Sequence, residues 1–214
     1  MKRPTLHRMV CMLALLAPLA ATANIIPLLS SVASTSPAAF TWTYNLELSA
    51  DQDVRSGALP AGSPVSGQNQ GFGSFLTIFD FSGYVAGTCT SPTGWVCLVQ
   101  NVGFTPSDVL PEDDAGIVNL TWQYATGPVI SGQSSGVSVG PFGAQSTFGQ
   151  VEMTGYAALG FNNSGPSAGT LAANVGQIGA PVAILAIPEP GSLALASIAL
   201  VLLGGGLRRC RSAS

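Results

Sequence analysis

Between Asn24 and Pro190 this chain has no lysine, no histidine and a single arginine, Arg55. Each absence removes a class of chemistry. Without imidazole, no serine or cysteine finds the usual general base and no histidine-bearing zinc site forms. Without lysine there is no Schiff-base amine, and the chain has no G-x-x-x-x-G-K-[ST] phosphate loop. Against Arg55 stand ten acids (Glu47, Asp51, Asp53, Asp80, Asp108, Glu112, Asp113, Asp114, Glu152 and Glu189), a balance of −9. A surface of that sign repels phosphate backbones, so nucleic acid is not an expected partner, and no cofactor is expected either.

Cysteine is almost as scarce. Cys11 and Cys210 sit near the two ends, which leaves Cys89 and Cys97 as the pair in the body. The spacing in "CTSPTGWVC", with Pro92 and Gly94 for the turn, predicts one disulfide, because two thiols without partner ligands are a poor metal site.

Long apolar helical stripes are also missing from the body; its pattern has period two. Phe40, Trp42, Tyr44, Leu46 and Leu48 alternate with Thr41, Thr43, Asn45 and Glu47, and "IVNLTWQY" at 117–124 repeats the pattern with Val118, Leu120, Trp122 and Tyr124. Weaker strand candidates run over 75–85, 95–99, 137–139, 148–156 and 182–187, separated by Gly, Pro, Ser and Asn turns. The expected body is therefore an all-β, jelly-roll-like β-sandwich over 24–161. Residues 162–186, rich in Gly, Ala and Ser, read equally as a linker or as the last strands.

Both ends carry processing signals. Lys2, Arg3 and Arg8 precede the apolar run from Met9 to Ala20, and Ala21-Thr22-Ala23 supplies small residues for cleavage. About a dozen apolar residues are too few to span a bilayer, which needs about 20. Residues 1–23 are thus expected to be a signal peptide and the mature chain to begin near Asn24. At the other end, Ser192 to Leu207 is a 16-residue run with no charge, followed by Arg208, Arg209 and Arg211. As a helix it measures about 24 Å, close to the lower limit for a single transmembrane span. The arginines then stay on the cytoplasmic side of the inner membrane and leave the body outside. Before this run, Pro188-Glu189-Pro190 forms an extended segment that cannot join a helix.

Taken in order, Pro188, Glu189 and Pro190, the apolar run and the arginine end resemble the PEP-CTERM sorting domain of exopolysaccharide-producing Gram-negative bacteria. The resemblance covers about 187–211. It implies recognition of Pro188-Glu189-Pro190 by an exosortase-type membrane enzyme, with Arg208, Arg209 and Arg211 as stop-transfer charges. The body would then be released or attached at the cell surface, in contact with extracellular polysaccharide.

The body is expected to be non-enzymatic, although several of its patterns resemble chemical sites. Gly132-Gln133-Ser134-Ser135-Gly136 fits the G-x-S-x-G elbow, but Ser134 has no base to activate it. Asp51-Gln52-Asp53 and Glu112-Asp113-Asp114 are oxygen-rich turns that leave calcium open, although neither matches an EF-hand loop. The sequons at Asn119 and Asn162 read as composition in a bacterial chain. Trp42, Trp95 and Trp122 would serve a carbohydrate-binding module if they lay on the surface, but their alternation favours the core. A glycosidase using carboxylates alone would need two of Glu47, Glu112 and Glu152 paired, and their spacing does not pair them.

Overall fold

The computed structural model describes residues 25–58, 73–106 and 112–183. It is all-β apart from a short 3₁₀ turn, Gly165–Ser167. The strands are β1 (Ile25–Ser36), β2 (Ala39–Leu48), β3 (Gln52–Val54), β4 (Phe75–Ile78), β5 (Trp95–Gln100), β6 (Asn119–Tyr124), β7 (Ile130–Ser131), β8 (Val137–Ser146), β9 (Val151–Asn162) and β10 (Leu171–Pro181).

Two antiparallel sheets result, in a sandwich-like arrangement. One has three strands in the order β1-β2-β8. The other has seven, in the order β5-β6-β4-β9-β3-β7, with β10 on the far side of β9. The long strand β9 organises the second sheet. Along one edge it pairs with β10 over eleven residue positions, and along the other with β3 and then β4.

Strand β2 forms as its alternation predicts, with Trp42, Tyr44, Leu46 and Leu48 buried. Their side chains meet those of β6 across the layers and those of β8 beside them in the same sheet. The Trp122 ring lies 5.6 Å from Phe142 and 6.3 Å from Tyr44, and the Trp95 ring lies 4.9 Å from Phe142. Trp42 and Trp122 are fully buried and Trp95 is 6% exposed, so the indoles belong to the core and not to a sugar-binding face. Two of the three indole nitrogens are provided for as burial requires, while Trp95 Nε1 is buried without a hydrogen-bond partner among the described residues. Trp42 Nε1 donates to Phe148 O at 3.1 Å and Trp122 Nε1 to Thr90 O at 2.9 Å. The Tyr44 hydroxyl donates to Gly179 O at 3.1 Å, joining the two sheets, and burial pushes its pKa well above the ordinary tyrosine value.

The structure differs from the sequence expectation in several places: β3 and β7 were not expected, and β8 and β9 run further than the stretches 137–139 and 148–156. Strand β1 had no alternation to announce it: "IIPLLSSVASTS" opens with a proline near its start and ends in small polar residues. It is an edge strand, where the missing N–H of Pro27 is tolerated. Strand β6 is buried on both faces, not one. Its second face carries Thr121, whose hydroxyl lies 2.8 Å from that of Thr77, under a smaller cluster formed by Phe75, Phe79, Phe104, Ala157 and Leu159. The expected strand over 75–85 stops at Ile78, because Asp80 takes a left-handed φ of 52° and turns the chain. Residues 171–181, for which linker and strand were both open, form β10, and the strand expected over 182–187 is absent at Val182 and Ala183.

No helix among the described residues is long and apolar enough to cross a membrane; Ser192 to Leu207 lies outside them, as do residues 1–23 and 187–211 as a whole.

Cys89 and Cys97 form the predicted disulfide, with Cα atoms 6.3 Å apart. It closes the turn that leads into β5, where Trp95 N donates to Pro92 O and Gly94 takes a φ of +85°. A side chain at Gly94 would meet Thr126 O and the Tyr124 ring. Closing so short a loop restricts the unfolded chain modestly, by about 2–3 kcal/mol on the loop-entropy relation. Replacing both cysteines by serine is expected to lower stability by about that amount without abolishing folding, which urea titration would measure as a lower midpoint at unchanged slope.

Candidate functional site

One end of the sandwich gathers acids, cavities and the point where the described chain stops. Asn119, the first residue of β6, is fully buried and organises it. Its carbonyl Oδ1 accepts from Asp80 N at 2.8 Å, while its amide donates to Asp113 Oδ1 at 2.8 Å and to Asn101 O at 3.3 Å. Asp80 Oδ1 in turn accepts from Asp114 N at 2.9 Å, and Asp114 Oδ1 accepts from Gly116 N at 2.9 Å. This web folds the exposed Glu112–Asp114 turn back over Asp80 and spends the carboxylates mainly on backbone N–H groups.

Burial raises the pKa of Asp80, and the negative charges of Asp113, Asp114 and Glu112 raise it further; the bond from Asp114 N opposes them in part. No cation lies among the groups acting on it.

Beside Asp80 runs a groove made of two adjoining cavities. The first, about 190 Å³, is lined by Asp80, Ser82, Glu152, Met153, Thr154 and Pro181 among others. The second, about 330 Å³, is bordered by Phe81, Tyr84, Phe148 and Ala183. Ser82 and Ile117 line both. Strand β9 brings Glu152 here through its second residue, and β10 brings Pro181 through its last. Val182 N donates to Gln150 O at 3.2 Å, the last backbone bond before Ala183. Chemically the groove offers acceptor-only carboxylates at one end and half-buried Tyr84 and Phe148 at the other. It suits a donor-rich ligand with an apolar face, not an anion.

The Asp51-Gln52-Asp53 turn is at a different place and is already occupied. The Asn163 amide sits where three oxygens converge, 3.2 Å from Ala50 O, 3.2 Å from Gln52 O and 3.1 Å from Asp53 Oδ1. Asp53 Oδ2 accepts from Arg55 Nη2 at 3.0 Å, and the Arg55 guanidinium lies 4.9 Å from the centre of the Phe161 ring. Burial alone would raise the Asp53 pKa; bonds from Ser131, Asn163 and Arg55, with the charge of Arg55, outweigh it and hold the carboxyl low. Among the described residues no three of His, Cys, Asp and Glu stand together so as to hold a metal ion.

The remaining sequence candidates are dispersed. Ser134 is exposed in the connection from β7 to β8. Glu47 lies on β2 between Ile26 and Ser138, while Glu112 and Glu152 lie at the groove end. The sequon residue Asn119 is buried, and Asn162 is bonded to Gln52 and Thr170, so both asparagines serve the fold. Pro188, Glu189, Pro190, Arg208, Arg209 and Arg211 lie outside the described residues. Sequence reasoning missed Asp80, which sits in an apolar stretch, "TIFDFSGY", with no acidic neighbour to draw attention to it.

No family model matches the chain, and neither a curated protein nor a solved structure resembles it significantly.

The raised pKa of Asp80 has a definite sign in stability. The folded state holds this proton to higher pH than the unfolded chain does, so the carboxyl costs stability as pH rises above its unfolded value of 3.8. Asp80→Asn keeps the Oδ1 acceptor and tolerates the left-handed φ. It is expected to raise Tm at pH 7, with the gain shrinking toward pH 3; a loss at pH 7 in thermal melts would contradict the assignment.

Proposed function

We propose that the chain is an exported, non-enzymatic bacterial protein whose β-sandwich body is delivered to the cell surface or extracellular matrix by a removable C-terminal address. The observation that carries this reading is the order of elements in the tail: Pro188-Glu189-Pro190, the uncharged run from Ser192 to Leu207, and Arg208, Arg209 and Arg211. The partner is an exosortase-type membrane enzyme that grips the Pro-Glu-Pro segment on the outer side of the inner membrane. A C-terminal transmembrane helix and a jelly-roll form of the sandwich are part of the same proposal, as is cleavage of residues 1–23 before delivery.

The body's composition agrees with such a role. It lacks histidine and lysine, and its one arginine is paired with Asp53, which leaves carboxylates and hydroxyls as its main reactive groups. The extent of the fold adds a distance constraint. Only four residues separate Ala183 from Pro188. Fully extended, the five steps between these two residues reach at most about 18 Å. An enzyme acting on the motif therefore works close to the groove end of the body.

A second reading, carbohydrate binding, draws support from the groove and not from the tryptophans. Carboxylate acceptors at Asp80 and Glu152 with Tyr84 and Phe148 alongside are suited to a neutral saccharide, whose hydroxyls donate and whose C–H faces pack on rings.

Deleting residues 188–190 is expected to leave the tail uncut, which mass spectrometry of envelope and medium fractions would detect as an intact arginine-rich C-terminus; the unaltered chain is expected to lose that terminus. An unaltered chain that keeps its arginines when mature would overturn the sorting reading. For the second reading, titration with neutral oligosaccharides is expected to give binding that Phe148→Ala weakens about tenfold or more, the loss of about 1.4 kcal/mol. Binding unchanged by that substitution would reject it.

A further inference from the structure

Sheet edges expose unpaired backbone N–H and C=O groups, and proteins ordinarily protect long edges with charge, proline or a covering segment. Strand β10 is an edge strand of eleven residues whose only hydrogen-bonded neighbour among the described strands is β9. Its second half, Ile178 to Pro181, is buried. Its first half, Leu171 to Gln177, is not: Ala173, Val175, Gly176 and Gln177 are exposed. This stretch, "LAANVGQ", contains no charged residue and no proline. Strand β9 faces it with Phe161 to Gly155, which is equally uncharged. The long edge strands β1 and β8 are equally uncharged but carry Pro27 and Pro141, whereas the Leu171–Gln177 stretch has neither charge nor proline, so two copies can meet along it without repulsion.

We propose that the Leu171–Gln177 edge pairs antiparallel with the same edge of a second copy, continuing the seven-stranded sheet across a two-fold axis at Asn174. The register is self-complementary. Leu171 faces Gln177, Ala172 faces Gly176, Ala173 faces Val175, and Asn174 faces its own counterpart. No cross-strand pair contains a charge or an aromatic ring, and the pairs flanking Asn174 are Ala172–Gly176 and Ala173–Val175, so side chains there do not hold the backbones apart. Asn174 is already anchored, donating to Ile25 O at 2.8 Å and to the Tyr156 hydroxyl at 2.9 Å, which stiffens the strand at the proposed axis. An isologous contact of this kind closes on itself as a dimer. Formed by one short strand per copy, it is concentration-dependent, and it is independent of how the tail is processed.

The test is sedimentation of the exported protein over a range of concentrations. The unaltered chain is expected to approach twice the monomer mass as concentration rises. Ala173→Lys combined with Val175→Lys sets lysine opposite lysine twice and is expected to remain monomeric. Ala173→Lys combined with Val175→Glu sets opposite charges against each other at the same two positions and is expected to recover the dimer. Ser135→Lys, which adds positive charge in an exposed loop, is expected to behave as the unaltered chain. Should a β10 variant fail to fold, hydrogen exchange of the unaltered chain decides: amides of 171–177 exchange more slowly at high concentration if the edge pairs. A monomer at all concentrations, or a dimer indifferent to both charge patterns, would overturn the proposal.

Discussion

The packing of Trp122 against Phe142 and Tyr44 is the contact on which the rest of the body depends. It brings together three strands far apart in sequence, β2, β6 and β8, and so holds the two sheets face to face. Rings of this size supply large apolar surfaces to the core of a chain rich in glycine, alanine and serine. The same indole donates to Thr90 O, fixing the disulfide loop against the core. Tyr44 performs the matching task at the opposite side, passing its hydroxyl across the sandwich to Gly179 on β10. Aromatic residues thus supply both the cohesion and the register of the layers.

With one cation in the body, polar organisation falls to asparagine. Asn119 holds the acidic turn over Asp80, Asn163 ties the β2–β3 turn to the end of β9, and Asn174 links β10 to the first residue of β1. An amide both donates and accepts, so each can join groups that a carboxylate or an ammonium would join only on one side. The consequence is an uneven electrostatic surface. At the Asp53 end the acid is neutralised by Arg55 and three hydrogen bonds, whereas at the Asp80 end the charges are left facing one another.

That asymmetry coincides with the geometry of the chain. The acidic end holds the groove and the last described residue, Ala183, and Pro188, the first residue of the proposed sorting motif, follows five positions later in the sequence. The disulfide of the body closes a short local loop that any oxidising compartment can form.

The all-β class, strands β2, β5 and β6, and the disulfide were legible because they rest on local periodicity and spacing. The burial of Trp42 and Trp122 was legible for the same reason, since alternation assigns a face. Strand β1 was not, because its proline and small polar residues become a strand only once β2 offers a partner. Nor was the second face of β6, where Asn119, Thr121 and Gln123 look solvent-facing until Phe104 and its neighbours cover them. Asp80 shows the difference most directly. Its residue type was plain in the sequence, but its turn, its raised pKa and its place beside Glu152 come from segments more than thirty residues away in the chain. Local pattern by itself determined which residues are apolar and which alternate; only tertiary pairing decided which polar groups share an environment, because that depends on strands brought together across long sequence separations.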